Sequence, residues 1–328
     1  MQAKIEKQPK ATIKITVTVE AEKVKEAYGV VLEEKVKTTK VEGFREGKAP
    51  QNLVEEKVGI SALHSEVVNL LLQMYYPQAV KENHVMPISN PKVEIKEFDM
   101  EKPFEFVAEV AVRPEVKVKS TYKKTLKKKL DDKNKTLKKE NSEKLKKGEE
   151  IPGNLAHLEP TEIIDALLEA SEVEIADLLI DEEIDRMMSR LVNQAQSIGL
   201  SLEQYLKAQN KTIDELRGDY QKMSERNLKA EFVLGYLVEE EKVEVSDAEV
   251  DEAFIASGVP VDQLKSQDPR QRIYVKVILQ KNKLVGKLIE EIEGKKPEAK
   301  VETKAGAKPE DKPEPKTKTK TKKGKTKK

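Results

Sequence analysis

The segment Gly43-Phe44-Arg45-Glu46-Gly47-Lys48-Ala49-Pro50 lies between two stretches of helical periodicity and differs from both in composition. Two glycines bracket an aromatic ring and a guanidinium, a lysine follows, and a proline closes the run. Gly43 and Gly47 reach positive φ without steric cost, so the chain has the freedom to form a tight, projecting loop here. Pro50 suits the first turn of a following helix, where its missing N–H is not needed. Phe44, Arg45 and Lys48 would then stand at the tip, an apolar ring flanked by two cations and matched to an anionic, partly apolar surface. The competing reading is a plain helix–helix connector with Phe44 folded inward. These residues alone leave both open.

On the amino-terminal side of the loop, Ile13, Ile15, Val17 and Val19 alternate with Thr12, Lys14, Thr16 and Thr18, the period of a half-buried strand. Val24, Ala27, Tyr28, Val31 and Leu32 then follow helical spacing. On the other side, Pro50 to Val58 reads as a short helix. Ile60 to Glu82 reads as a longer one, with Leu63, Val67, Leu70, Leu71, Met74 and Tyr75 facing inward. Two strand-like runs follow, Lys92 to Phe98 and Pro103 to Val112, joined by Asp99-Met100-Glu101-Lys102 as a hairpin loop. A strand, a helical excursion bearing the loop, and a hairpin make one α+β domain, expected over residues 1–116.

Charge divides the remainder. Residues 117–148 hold 14 Lys against 4 acidic residues, 149–293 hold 16 basic against 32 acidic, and 294–328 hold 14 Lys against 5 acidic, beneath a net charge of +1 for the chain. Segments 117–150 and 294–328 therefore read as a disordered, Lys-rich linker (or an isolated, solvated helix) and a disordered basic tail. Residues 151–293 carry helical periodicity throughout, punctuated by capping signals at Ser201/Gln204, Thr212/Glu215 and Ser246/Glu249. The Met and Leu positions of these helices read mainly as core, and the last helix runs from Pro269 through Ile273, Val277, Ile278, Leu284, Leu288 and Ile292. The expected architecture is an α+β amino-terminal domain followed by an all-α carboxy-terminal domain.

The loop resembles the ribosome-docking signature of the trigger factor family, Gly-Phe-Arg-x-Gly-Lys-x-Pro, at all six fixed positions: Gly43, Phe44, Arg45, Gly47, Lys48 and Pro50. Where many relatives carry a cation this chain has Glu46, which lowers the loop's positive charge. Glu182 to Met187, Gly199-Leu200-Ser201 through Tyr205-Leu206, and Val243 to Val250 resemble the family's carboxy-terminal domain, with Ala176 where a proline is usual. The resemblance covers about residues 1–115 and 155–293. It implies a ribosome-binding domain whose loop contacts a protein and RNA of the large subunit beside the exit tunnel. It also implies a helical body with two arms that cradles unfolded nascent chains, with a homodimer left open. In most relatives an isomerase domain occupies the junction. No Phe or Trp falls between Val107 and Ala230, and the 117–150 run shows no strand-like alternation.

Other chemistry is sparse. The chain has no Cys and no Trp, and its three histidines, His64, His84 and His157, stand apart from one another. Neither a metal site nor a catalytic group is read from them. No phosphate-binding or nucleophile-elbow glycine motif is present, so no cofactor is expected. No apolar run reaches the roughly 18 residues that would suggest a membrane span, and a cytoplasmic setting is the default. The expectation is an ATP-independent, ribosome-associated holding chaperone that is not an enzyme. The alternatives are a prolyl isomerase with a cryptic site, and a basic protein attracted to ribosomal RNA through its lysine segments.

Overall fold

The computed structural model describes residues 1–45, 47–96, 98–147 and 156–294, apart from the side chains of 143–147 and 265. The described chain forms two compact units, Met1–Glu244 with Gln280–Gly294, and Val245–Leu279. Glu46 and the tail beyond Gly294 lie outside the described residues.

The first unit opens with β1 (Gln2–Gln8), β2 (Thr12–Val19), α1 (Ala21–Thr38), α2 (Gln51–Val58), α3 (Ile60–Glu82), β3 (Lys92–Ile95) and β4 (Phe104–Ala111). The four strands form an antiparallel sheet in the order β1-β2-β4-β3. Its register sets Ile5 opposite Ile15, Ile15 opposite Ala108, and Val17 opposite Phe106. The alternation read in β2 sends Ile15, Val17 and Val19 into a core with Phe104, Phe106, Ala108 and Val110. Val24, Ala27, Val31 and Leu32 of α1, with Leu63, Val67 and Leu71 of α3, cover that face. Two details differ from expectation. β1 was not foreseen, because an edge strand with Ala3 and Ile5 among polar residues reads as a polar terminus. Met74 is exposed, while Val68 and Ala79 are buried in its place, so the inward stripe of α3 is rotated slightly from the one read in the sequence.

β5 (Val116–Val118), α4 (Tyr122–Lys147), α5 (Pro160–Glu169), β6 (Ser171–Val173), α6 (Asp177–Ser197), α7 (Leu202–Ala208) and α8 (Ile213–Glu240) follow, and β5 pairs antiparallel with β6. The disordered Lys-rich linker expected over 117–150 is corrected here. Residues 122–147 are helical, and Tyr122, Leu126 and Leu130 are buried among Ile163, Leu167, Val233, Leu237, Leu284 and Leu288. Those three apolar residues recur every four positions and make a narrow stripe. The stripe cannot form a core alone, but it completes one whose other walls come from α5, α8 and the later helix, which local composition does not register. Lys123 to Glu291 at 3.0 Å and Lys133 to Glu162 at 2.5 Å flank the stripe. The end of the sheet packs on α6: Ala111 is buried with Ile175, Ala176, Leu179, Ile180 and Ile184, and Lys10 pairs with Asp177 at 2.8 Å.

The capping signals perform as read. Ser201, Thr212 and Ser246 each accept from the backbone N–H three residues on, and Gln204, Glu215 and Glu249 return the bond. The second unit contains α9 (Asp247–Ala256), a 3₁₀ turn (Val261–Ser266) and the beginning of α10 (Pro269–Glu293), whose last turns belong to the first unit. Its core is Val245, Val250, Phe254 and Leu264, with Val259, Val275 and Leu279 packed against it. Arg272 holds Asp251 at 2.7 Å. Among the described residues no helix is long and apolar enough to cross a membrane.

Candidate functional site

The loop between α1 and α2 is built from two consecutive turns. The Thr39 N–H closes α1 on the Lys35 carbonyl at 2.8 Å; the Phe44 N–H then bonds the Val41 carbonyl at 3.2 Å and the Lys48 N–H bonds the Arg45 carbonyl at 3.0 Å. Gly43 and Gly47 take φ of +83° and +79°. A Cβ at either would meet nothing closer than 4.0 Å, so these glycines serve backbone conformation and not close packing. Pro50 stands one residue before the helix, as its N-cap at φ −60° and ψ 142°, and its carbonyl accepts from Leu53 and Val54.

The base beneath the tip is fixed. Ala49 and Val54 are buried. The Tyr28 hydroxyl of α1 donates to Glu55 of α2 at 2.8 Å, and the Lys57 ammonium donates to the Lys40 carbonyl. Burial, then the bond to Glu55, pushes the Tyr28 phenol up to about 12. Lys35 of α1 and Glu66 of α3 pair at 2.5 Å. α1 begins two residues after β2, so the loop lies a helix length from that strand, about 27 Å for 18 residues.

On this base Phe44 keeps 43% of its surface exposed, and Arg45 and Lys48 are exposed beside it. The inward-folded Phe44 of the connector reading is not what the structure holds. Among the described residues neither Arg45 nor Lys48 forms an ion pair. A ring and two exposed cations on a tied-down loop can dock on an anionic surface offering an apolar pocket.

The histidines have structural surroundings. His64 sits edge-on between Tyr28 and Phe98, with ring centroids 6.3 and 4.9 Å away, and His157 Nδ1 lies 3.2 Å from Glu293. No group of three or more His, Cys, Asp or Glu that could hold a metal occurs among the described residues.

A second feature was missed in the sequence. Ile273, Tyr274, Val277 and Ile278 at the start of α10 are exposed, the first two by 63% and 68%, and helical spacing alone does not say which of them face outward. Leu284, Leu288 and Ile292 are buried. The available signal was width: Ile273 to Leu279 is apolar at every position but Lys276, too broad for a single buried stripe. Val275 and Leu279 take the inward positions and leave the others to solvent.

Comparison with known proteins places these features in a family. A sequence model described as "Bacterial trigger factor protein (TF)" matches residues 1–147, and one described as "Bacterial trigger factor protein (TF) C-terminus" matches residues 135–290. The chain is similar to trigger factors of Clostridium kluyveri (36% identical over 118 residues), Staphylococcus epidermidis (39% over 104) and Bacillus subtilis (36% over 118). These matches cover 32–36% of this chain and 24–28% of each relative, so the chain spans about a quarter of the length of the curated relatives it matches. A solved structure described as "Promiscuous Substrate Recognition in Folding and Assembly Activities of the Trigger Factor Chaperone" shares the fold. Its TM-score is 0.59 at 15% identity, covering 89% of this chain and all of the other.

Proposed function

We propose, from the premise that the chain belongs to the trigger factor family, that it is an ATP-independent holding chaperone docking beside the ribosomal exit tunnel through Phe44, Arg45 and Lys48. The observation that carries this reading is the loop tip: one exposed ring and two exposed cations, without an ion pair among the described residues, raised on a base anchored by Tyr28, Ala49 and Val54. The ring enters an apolar pocket of a large-subunit protein, the cations meet acidic side chains or RNA phosphates, and Gly43, Gly47 and Pro50 set the presentation. In this reading residues 1–116 bind the ribosome, 117–150 stand where relatives hold their isomerase domain, 151–293 hold clients, and 294–328 form a basic tail. The setting is the cytoplasm.

Holding uses reversible burial of client apolar surface, about 25 cal/mol per Å² before ordering costs. Ile273, Tyr274, Val277 and Ile278 are the surface assigned to it, since an exposed apolar stripe of this size on a helix is suited to transient partners. Prolyl isomerisation is outside this reading. The family's isomerase site uses an aromatic-lined pocket, and Tyr122, the one aromatic residue between Val112 and Thr161, is committed to the helical core.

Replacing Phe44, Arg45 and Lys48 together by Ala tests the docking. The variant should remain in the supernatant when purified ribosomes are pelleted, with its circular dichroism unchanged. Undiminished co-pelleting would remove the role assigned to the loop.

A further inference from the structure

The solvent face of α4 carries a lysine pattern that the docking loop and the client surface do not use. At 100° per residue, Lys124, Lys127, Lys128, Lys135, Lys138 and Lys139 fall within a stripe about 120° wide. That stripe points directly away from the buried Tyr122, Leu126 and Leu130. The lysines nearer the packed face are matched with carboxylates: Lys123 with Glu241 and Glu291, Lys129 with Glu169, and Lys133 with Glu162. On the stripe, Lys135 pairs with Asp132 at 3.3 Å. Lys124, Lys127, Lys128, Lys138 and Lys139 form no ion pair among the described residues. Asp131 is the one acidic residue within the stripe, and Asp132 lies beside it.

We infer that this ridge is a contact surface for an RNA phosphate backbone. Lys124 and Lys139 are separated by about 22 Å of helix, so the ridge presents a row of point charges and not a single pocket. Three alternatives fit less well. A membrane-surface helix needs its apolar face free to enter the lipid, and here that face is buried in the protein. A stable protein interface needs an apolar or aromatic centre and is depleted in Lys, and the stripe contains neither. Stacking recognition of unpaired bases needs aromatic side chains, and none lies on this face. What remains is sequence-independent neutralisation of phosphates, for which flexible ammonium groups are suited.

The test uses the full chain, its Lys124, Lys127, Lys128, Lys138 and Lys139→Gln variant, and a charge-preserving variant with Arg at the same five positions. Gln and Arg are both good helix formers, and circular dichroism checks that each variant folds. Binding to a labelled RNA duplex of mixed sequence is followed over a salt series. Each phosphate contact contributes about 0.7–0.9 to the slope of log K against log salt, so the Gln variant should lose up to about 3.5–4.5 from that slope and bind on the order of tenfold or more weakly at low salt. The Arg variant should keep both. The tail is present in all three proteins and cancels in the comparison. An unchanged slope in the Gln variant overturns the inference. So does a loss confined to binding of anionic phospholipid vesicles or of polyglutamate, which would assign the ridge to a membrane or an acidic protein. The result is independent of docking: the Phe44, Arg45 and Lys48 triple variant should bind the duplex through α4 with its slope reduced by no more than the two cations it lacks.

Discussion

Gly47 shows how a single residue sets the geometry of the loop. Its φ of +79° belongs to the region where an L side chain is strained, and the space around it is open. The requirement is therefore conformational, costing roughly 1–2 kcal/mol for a residue with a Cβ. Gly47→Ala should lower stability by about 1 kcal/mol in urea unfolding, and Gly47→Asn by less, because Asn tolerates this conformation better. An Ala variant as stable as the parent would show that the loop adopts another backbone without cost. The spacing of Gly43, Phe44, Arg45, Gly47, Lys48 and Pro50 marks a glycine-bracketed loop in the sequence, and the structure has that loop, with both glycines at positive φ. Whether Phe44 faced in or out was not readable, because that depends on the anchoring of α2 on α1 through Val54 and the Tyr28–Glu55 bond.

At the scale of elements, α4 is where local reading and tertiary structure part. Strong alternation in β2, the apolar spacing of α1 and three capping boxes all marked their elements correctly, because each encodes its structure within a few residues. The buried stripe of α4 consists of Tyr122, Leu126 and Leu130 in a lysine-rich run, and its partners lie on helices far along the chain. At the start of α10 the broad apolar run leaves the outward side open in the sequence, and the packing of Val275 and Leu279 decides it. If α4 is a structural member, Leu126→Ala should cost about 2–5 kcal/mol, the range for a fully buried leucine. A solvated linker helix would give a change within about 0.5 kcal/mol. The urea midpoint decides between them.

The whole molecule carries an exposed loop tip between α1 and α2, a helical core that includes α4, and an apolar stripe on α10. Holding should depend on the stripe and not on ATP. Replacing Ile273, Tyr274, Val277 and Ile278 by Ser should weaken suppression of aggregation of a denatured client several-fold. These side chains are exposed, so the unfolding midpoint should move little. Equal suppression by the two proteins would remove the stripe from the client surface. The same protein should leave the rate of a proline-limited refolding reaction unchanged at every concentration, since the barrier of about 18–20 kcal/mol needs a preorganised pocket to fall.

The most direct test is a photo-crosslinking residue placed at position 44 and irradiated with purified large ribosomal subunits. The account predicts a covalent adduct with a subunit protein at the tunnel exit, lost when Arg45 and Lys48 are replaced by Ala and absent when the same group replaces the exposed Ile198. No adduct from position 44, or an equal one from position 198, would contradict it.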